Sequence, residues 1–132
     1  MSFSIDLSRL VEKTKGKTDI AVKKVMLELF TNVVSKSPVL SGRFRANWEV
    51  GYGSPNVTVS DDLDKRQVGD KTGPTIGRMD KEIKTAKLTG QSIFLTNSLP
   101  YSIRLENGHS QKQAPSGMVR ISLIEITAHY GR

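Results

Sequence analysis

The sequence predicts a single α+β domain, in which an N-terminal helical arm and a long helix pack on a small antiparallel sheet, followed by a C-terminal helix. The chain has 132 residues, a length typical of one domain (residues 1–132) with a real core. Apolar residues recur at helical spacing from Thr18 to Ser35 and alternate with polar ones from Arg43 to Val50. Helical and strand periods thus occur together in one short chain that contains no internal repeat.

Two helices are predicted at the N-terminus. A short amphipathic arm over Ile5–Lys13 is indicated by the spacing of Leu7, Leu10 and Val11. The long helix begins after Thr18, a typical N-cap, and ends near Ser35, ahead of the restriction that Pro38 imposes. Its apolar face consists of Val22, Val25, Met26, Leu29, Phe30 and Val33.

A strand is predicted from Arg43 to Val50, because apolar and polar residues alternate there. Its packed face consists of Phe44, Ala46, Trp48 and Val50. Arg43, Arg45, Asn47 and Glu49 are expected on the opposite, solvated face. Trp48 is the single tryptophan, and we interpret it as a core anchor, with an interface role as the alternative.

Residues 51–73 are predicted to form a long loop. The segment contains four glycines, one proline and an acidic cluster of Asp61, Asp62 and Asp64. Loops of this length in compact domains are commonly functional or disordered. We expect a mobile loop or long hairpin that becomes ordered against a neighbouring subunit.

The second half of the chain returns to regular elements. Pro74 suits the first turn of a helix that Ile76, Met79, Ile83 and Ala86 continue at helical spacing. Ser92–Thr96 is a short apolar strand. Met118–Tyr130 fits both a helix and a strand by period, and the lack of turn signals within the run favours a helix.

Composition and charge limit the possible classes of protein. The chain has no cysteine, so disulfide and thiolate metal sites are excluded. No apolar run approaches the length of a membrane span, and the first residues lack the order of a secretory signal, so we expect a protein that stays soluble inside the cell that makes it. Only 36% of residues are hydrophobic, which predicts a modest core completed by burial against partners.

The net charge of +7 is unevenly distributed. Residues 1–48 carry nine basic and four acidic residues, residues 49–74 carry three and five, and residues 75–132 carry eight and four. An acidic middle therefore lies between two basic flanks. Such a balance fits a nucleic-acid surface or a partner of opposite charge.

Candidate catalytic, cofactor and metal sites are all weak, so none is predicted. His109 and His129 lack further ligands at metal-binding spacing. The acidic cluster fails the calcium-loop pattern and is interpreted as solvated. No phosphate-binding loop or nucleophile elbow occurs.

The candidate functional residues instead suit an interface. Arg43 and Arg45 are expected to contact solvent, an acidic partner or DNA phosphates. Arg104 and Glu106 could pair across a subunit boundary. The remaining members of this hypothetical interface are Asp61, Asp62, Asp64, Tyr101 and His109.

Two separated stretches carry short motifs, which we name the first and second half-motif. The first is SPVLSGRFRANW at residues 37–48, after the long helix, and the second is TNSLPYSIRLENGHSQKQAPSGMVR at residues 96–120. Together they resemble the tail-completion or neck-protein family of long-tailed, lambda-like bacteriophages. The resemblance implies a structural protein of the virion without catalytic residues, cofactor or metal.

The same resemblance implies partners and a place of action. The chain is expected to form a ring, a hexamer by this resemblance, and to contact the tail terminator or tail tube and the head-completion (stopper) proteins. Non-specific contact with DNA in the channel is possible, and no membrane is involved. The protein would act in the tail or neck of the virion after assembly in the host cytoplasm. A small basic DNA-binding protein is the alternative.

Overall fold

The computed structural model describes residues 3–7, 19–37, 42–86, 92–99 and 118–130. These residues contain helices and a three-stranded antiparallel sheet, so the predicted α+β class is confirmed. In chain order the elements are strand β1 (Phe3–Asp6), helix α1 (Asp19–Ser35), helix α2 (Arg43–Ala46), strand β2 (Trp48–Tyr52), helix α3 (Pro74–Thr85), strand β3 (Ile93–Asn97) and helix α4 (Val119–Tyr130).

Strand β3 is the centre of the sheet, with β1 and β2 antiparallel on its two sides. Leu95 is opposite Ile5 in one neighbour and Val50 in the other. The side chains of Ser4 and Thr96 share a hydrogen bond of 2.8 Å across the pair. The predicted strand over Ser92–Thr96 is therefore confirmed, shifted by one residue.

The helical arm predicted for Ile5–Lys13 is wrong at its beginning. Ile5 and Asp6 belong to β1, because the edge of β3 supplies backbone partners that outweigh a weak helical period. Leu7 extends the pairing through its amide, which lies 2.7 Å from the carbonyl oxygen of Ile93. Residues 8–13 lie outside the described residues.

The strand predicted for Arg43–Val50 is also wrong in its first half, where the chain forms the short helix α2. Apolar residues at every second position include pairs four apart, and that spacing also fits one face of a helix. Phe44 and Trp48 are such a pair, and their rings pack edge to face with centroids 5.6 Å apart. Gly42 precedes the helix with a φ of 90°, which favours glycine.

The other predicted helices are confirmed. Helix α1 packs against α3 and α4, and all three helices contribute apolar residues to a core that they share with the sheet. The core anchor role of Trp48 is confirmed, since its side chain has no exposed surface. The largest fully buried apolar side chains are Trp48, Phe30, Met26, Leu29, Met79, Ile83, Leu95, Leu99, Met118, Ile126 and Val33. None of the described helices is long and apolar enough to cross a membrane.

Residues 53–73 contain no helix or strand, as the sequence predicts for most of the 51–73 loop. Backbone hydrogen bonds nevertheless attach the loop to the rest of the fold. The amide of Asp64 donates to Gly42 at 2.9 Å and that of Gly69 donates to Ser35 at 2.6 Å. Ordering of the loop against a neighbouring subunit stays a prediction.

Candidate interaction site and its buried support

Among the described residues of the predicted interface, Arg45 forms several hydrogen bonds and an ion pair through its guanidinium group. Its side chain has no exposed surface, because α2 directs it into the interior and not to a solvated strand face. Nη2 donates to the carbonyl oxygens of Asp70 and Thr72, at 2.8 Å each, and Nη1 donates to Val34 at 3.2 Å. The guanidinium thus joins the end of α1 to the loop.

Asp64 is the ionic partner of Arg45. Its Oδ2 lies 3.2 Å from Nε of Arg45, and its side chain is also fully buried. The backbone amides of Arg66 and Thr75 donate to the same carboxylate at 3.2 and 3.3 Å. Burial alone would raise the pKa of Asp64, but hydrogen bonding with Thr75 and Arg66 and the charge of Arg45 together lower it.

The interpretation of the acidic cluster as solvated is therefore wrong for Asp64 and right for its two neighbours. Asp61 and Asp62 are exposed, whereas Asp64 caps the beginning of α3 from inside the protein. Asp64 and Arg45 offer no surface to a partner. Sequence reasoning missed their pairing because nothing local connects two residues separated by most of the loop.

Arg43 is partly exposed and lies against the acidic part of the loop. Its Nη2 is 3.4 Å from Oδ1 of Asp61, and its Nε donates to the carbonyl oxygen of Ser60 at 3.3 Å. Asn47 fixes the same point, because its Oδ1 accepts from the Ser60 amide at 2.7 Å while its Nδ2 donates to the Ser60 carbonyl at 3.0 Å. The first half-motif therefore sets the position from which Asp61 and Asp62 project.

A second ionic cluster, which the sequence does not predict, lies beside this position. Glu49 was expected on the solvated face of a strand, but it is buried and pairs with Arg78 at 3.0 Å. Arg78 also donates to the carbonyl oxygens of Ala46 and Trp48, at 3.3 and 3.1 Å. Burial raises the pKa of Glu49, and the charge of Arg78 opposes that rise.

The two half-motifs meet inside the fold. Nδ2 of Asn97, from the second stretch, donates to the carbonyl oxygen of Phe44, from the first, at 2.9 Å. Within the first stretch, Nε1 of Trp48 donates to Oγ of Ser37 at 2.8 Å. All four residues are buried. These described residues of the two half-motifs thus stabilise the fold.

The remaining interface candidates are Tyr101, Arg104, Glu106 and His109, which lie outside the described residues. Among the described residues, no group of three or more His, Cys, Asp or Glu side chains could hold a metal ion. The described site is a hydrogen-bonded support that presents charged and apolar side chains of one loop.

Comparison with known proteins adds no relative. No protein-family model, curated protein or solved structure matches the chain.

Proposed function

We propose that the chain is a structural protein of the bacteriophage neck, which completes the tail or joins it to the head as part of a ring. The observation that carries the proposal is the junction of the two half-motifs through Asn97 and Phe44. Described residues from two distant stretches that resemble one family contribute to one buried unit. Such a unit suits a protein whose shared residues build a scaffold and perform no chemistry.

Partners of this proposed ring are further copies of the chain, the tail terminator or tail tube, and the head-completion proteins. Binding rests on burial of apolar surface, with charge matching to set the register. The described residues expose several large apolar side chains suited to such burial: Ile20, Val57, Val59, Leu63, Val68 and Ile124. No catalytic residue or cofactor is part of the proposal.

The alternative, a small basic DNA-binding protein, loses one of its residues in the structure. Arg45 is fully buried and bonded to carbonyl oxygens, so it cannot reach a phosphate. Arg43 already contacts Asp61 and Ser60. In the described helices, Lys24 of α1, Lys81 and Lys84 of α3 and Arg120 of α4 then supply the exposed positive charge that this alternative requires.

Light scattering on the purified chain, with and without duplex DNA at two salt concentrations, separates the two functions. We expect a monomer or a ring whose mass is the same with DNA. A DNA complex of defined size that weakens steeply with salt would favour the alternative, since phosphate contacts release counterions.

A genetic test addresses the place of action. In a phage that carries this chain, loss of the chain should leave heads and tails that do not join, as seen by electron microscopy of the lysate. Normal joined particles without the chain would overturn the proposal.

A further inference from the structure

A basic groove lies between α1 and α3. It has a volume of about 420 Å³ and is lined by Ile20, Lys23, Lys24 and Leu27 of α1 and by Lys84 of α3. Ile20 is 82% exposed, a large fraction for an isoleucine, and it lines the same groove as three lysines. We name these five residues the lysine groove.

The lysine groove has a defined arrangement of charge. Nζ of Lys23 donates to the carbonyl oxygen of Lys84 at 3.1 Å, which ties the two helices together. Nζ of Lys84 lies 3.0 Å from Asp80, so part of its charge is neutralised within α3. Lys24 is exposed. The groove therefore combines apolar and positively charged lining residues.

The loop offers the complementary pattern in residues 57–63, which read VTVSDDL and which we name the acidic segment. Val57 is 65% exposed, and Val59 and Leu63 are 47% exposed. The Asp61 side chain is fully exposed, and its Oδ1 lies 3.4 Å from Nη2 of the partly exposed Arg43. The segment thus presents exposed apolar side chains next to two carboxylates.

The two surfaces lie toward opposite ends of α3. Asp62 and Leu63 line a cavity with Pro74 and Thr75 at the N-terminal end of that helix, whereas Lys84 lies in its last turn. At a rise of about 1.5 Å per residue, Thr75 and Lys84 are about 14 Å apart along the axis. A copy with this fold therefore does not place its acidic segment in its own groove.

We propose that the lysine groove of one copy binds the acidic segment of a second copy. Asp61 and Asp62 face Lys23 and Lys24, while apolar side chains of the segment cover Ile20. Because the two surfaces differ, the contact is head to tail, and repetition of a head-to-tail contact generates a ring when the rotation closes. The inference rests on the proposed ring and assigns its subunit contact.

Charge reversal tests the pairing in the full chain. The variant Lys23→Glu with Lys24→Glu reverses the groove, and Asp61→Lys with Asp62→Lys reverses the segment. We expect each double variant to weaken self-association in sedimentation by about tenfold or more in Kd, since like charges then meet. The variant with all four changes should recover most of the association.

The chain supplies a control with the same change in charge as the groove variant. Lys65 and Lys71 are exposed and belong to neither surface. Lys65→Glu with Lys71→Glu should therefore keep the self-association of the unchanged protein. If each reversed variant fails to associate and the fourfold variant fails too, the two surfaces do not face each other and the proposal is wrong.

Cross-linking gives a second test, because the chain has no cysteine of its own. Lys24→Cys protein mixed with Asp62→Cys protein should form a mixed disulfide dimer on oxidation. Lys71→Cys mixed with Asp62→Cys should form far less. Absence of the mixed dimer, together with a monomeric wild-type protein up to millimolar concentration, overturns the proposal.

The two proposals fail independently. A ring that persists in both reversed variants overturns this pairing while the neck function stands. Joined particles in a phage that lacks the chain overturn the neck function, whatever the cross-linking shows.

Discussion

Nε of Arg45 lies 3.2 Å from Oδ2 of Asp64, and neither side chain has any exposed surface. One residue belongs to α2 and the other to the long loop, so the ion pair anchors the middle of that loop in the interior. Carbonyl oxygens of Asp70 and Thr72 complete the environment of the guanidinium. The loop therefore depends on this ion pair for the conformation in which it presents the acidic segment.

Replacement of Arg45 by methionine is the direct test of this dependence. Arg45→Met leaves the Asp64 carboxylate buried without its countercharge, and several carbonyl oxygens lose their donor. We expect the free energy of unfolding to fall by about 3–5 kcal/mol. Urea unfolding followed by the fluorescence of the single tryptophan, which is buried, measures the loss.

Arg66→Met is the matched control for that substitution. The Arg66 side chain is 56% exposed and lies 4.0 Å from Asp70. We expect a change of about 1 kcal/mol or less, as for other exposed ion pairs. Equal losses in the two variants would contradict a special role of the Arg45 pair.

Titration of Asp64 should contribute to the loss of stability at acid pH. Its folded-state pKa is lowered, so the unfolded state takes up the proton first as the solution is acidified. The stabilisation is therefore complete above the unfolded pKa and is lost as pH falls through the folded pKa. Asp64→Asn should flatten the acid side of a plot of unfolding free energy against pH.

Titration of Glu49 should change the free energy of unfolding with pH in the direction opposite to that of Asp64. Burial raises its folded-state pKa, so its contribution is present at low pH and declines as pH rises through the folded pKa. Glu49→Gln should remove that decline and steepen the overall rise of stability with pH. Denaturant titrations at a series of pH values measure both slopes, and a change of the same sign in Asp64→Asn and Glu49→Gln would contradict the assignment.

Gly42 should tolerate no side chain. Its φ is 90°, and an added Cβ would lie 2.6 Å from the carbonyl oxygen of Asp64. Gly69 has a similar φ of 94° but open space around the same position. Gly69→Ala should cost about 1–3 kcal/mol from the backbone alone, and Gly42→Ala should cost more because of the overlap. Thermal unfolding compares the stabilities of the two variants. Equal losses would mean that the backbone at Asp64 moves away from the added Cβ without a cost in free energy.

Local patterns were sufficient to predict most of the regular elements. The apolar faces of α1 and α3 recur at helical spacing, and Pro74 and the region before Pro38 mark boundaries by backbone restriction. The segment from Arg43 to Val50 was ambiguous, because alternation includes the spacing of Phe44 and Trp48 in a helical turn. Gly42 was the local signal for that turn.

The candidate site was less predictable because its contacts are not local. A charged residue in a strand-like pattern is ordinarily exposed. Arg45 is instead buried, and it donates to carbonyl oxygens of a loop about 25 residues further along the sequence. No period in the sequence relates Arg45 to Asp64 or Glu49 to Arg78. The exposure of Asp61 and Asp62 was predicted, since acidic residues among turn formers are usually solvated.

Ser37 should stabilise the protein through Trp48. Its Oγ accepts from Nε1 of Trp48 at 2.8 Å and donates to the carbonyl oxygen of Val33 at 2.9 Å, in a buried position. Ser37→Ala leaves the indole N–H unpaired, at a cost of about 1–3 kcal/mol. In a Trp48→Phe background that donor is absent, so the same substitution should cost less. Urea unfolding by circular dichroism completes this double-mutant cycle. An equal cost of Ser37→Ala in both backgrounds would place its effect in the Val33 contact and not in Trp48.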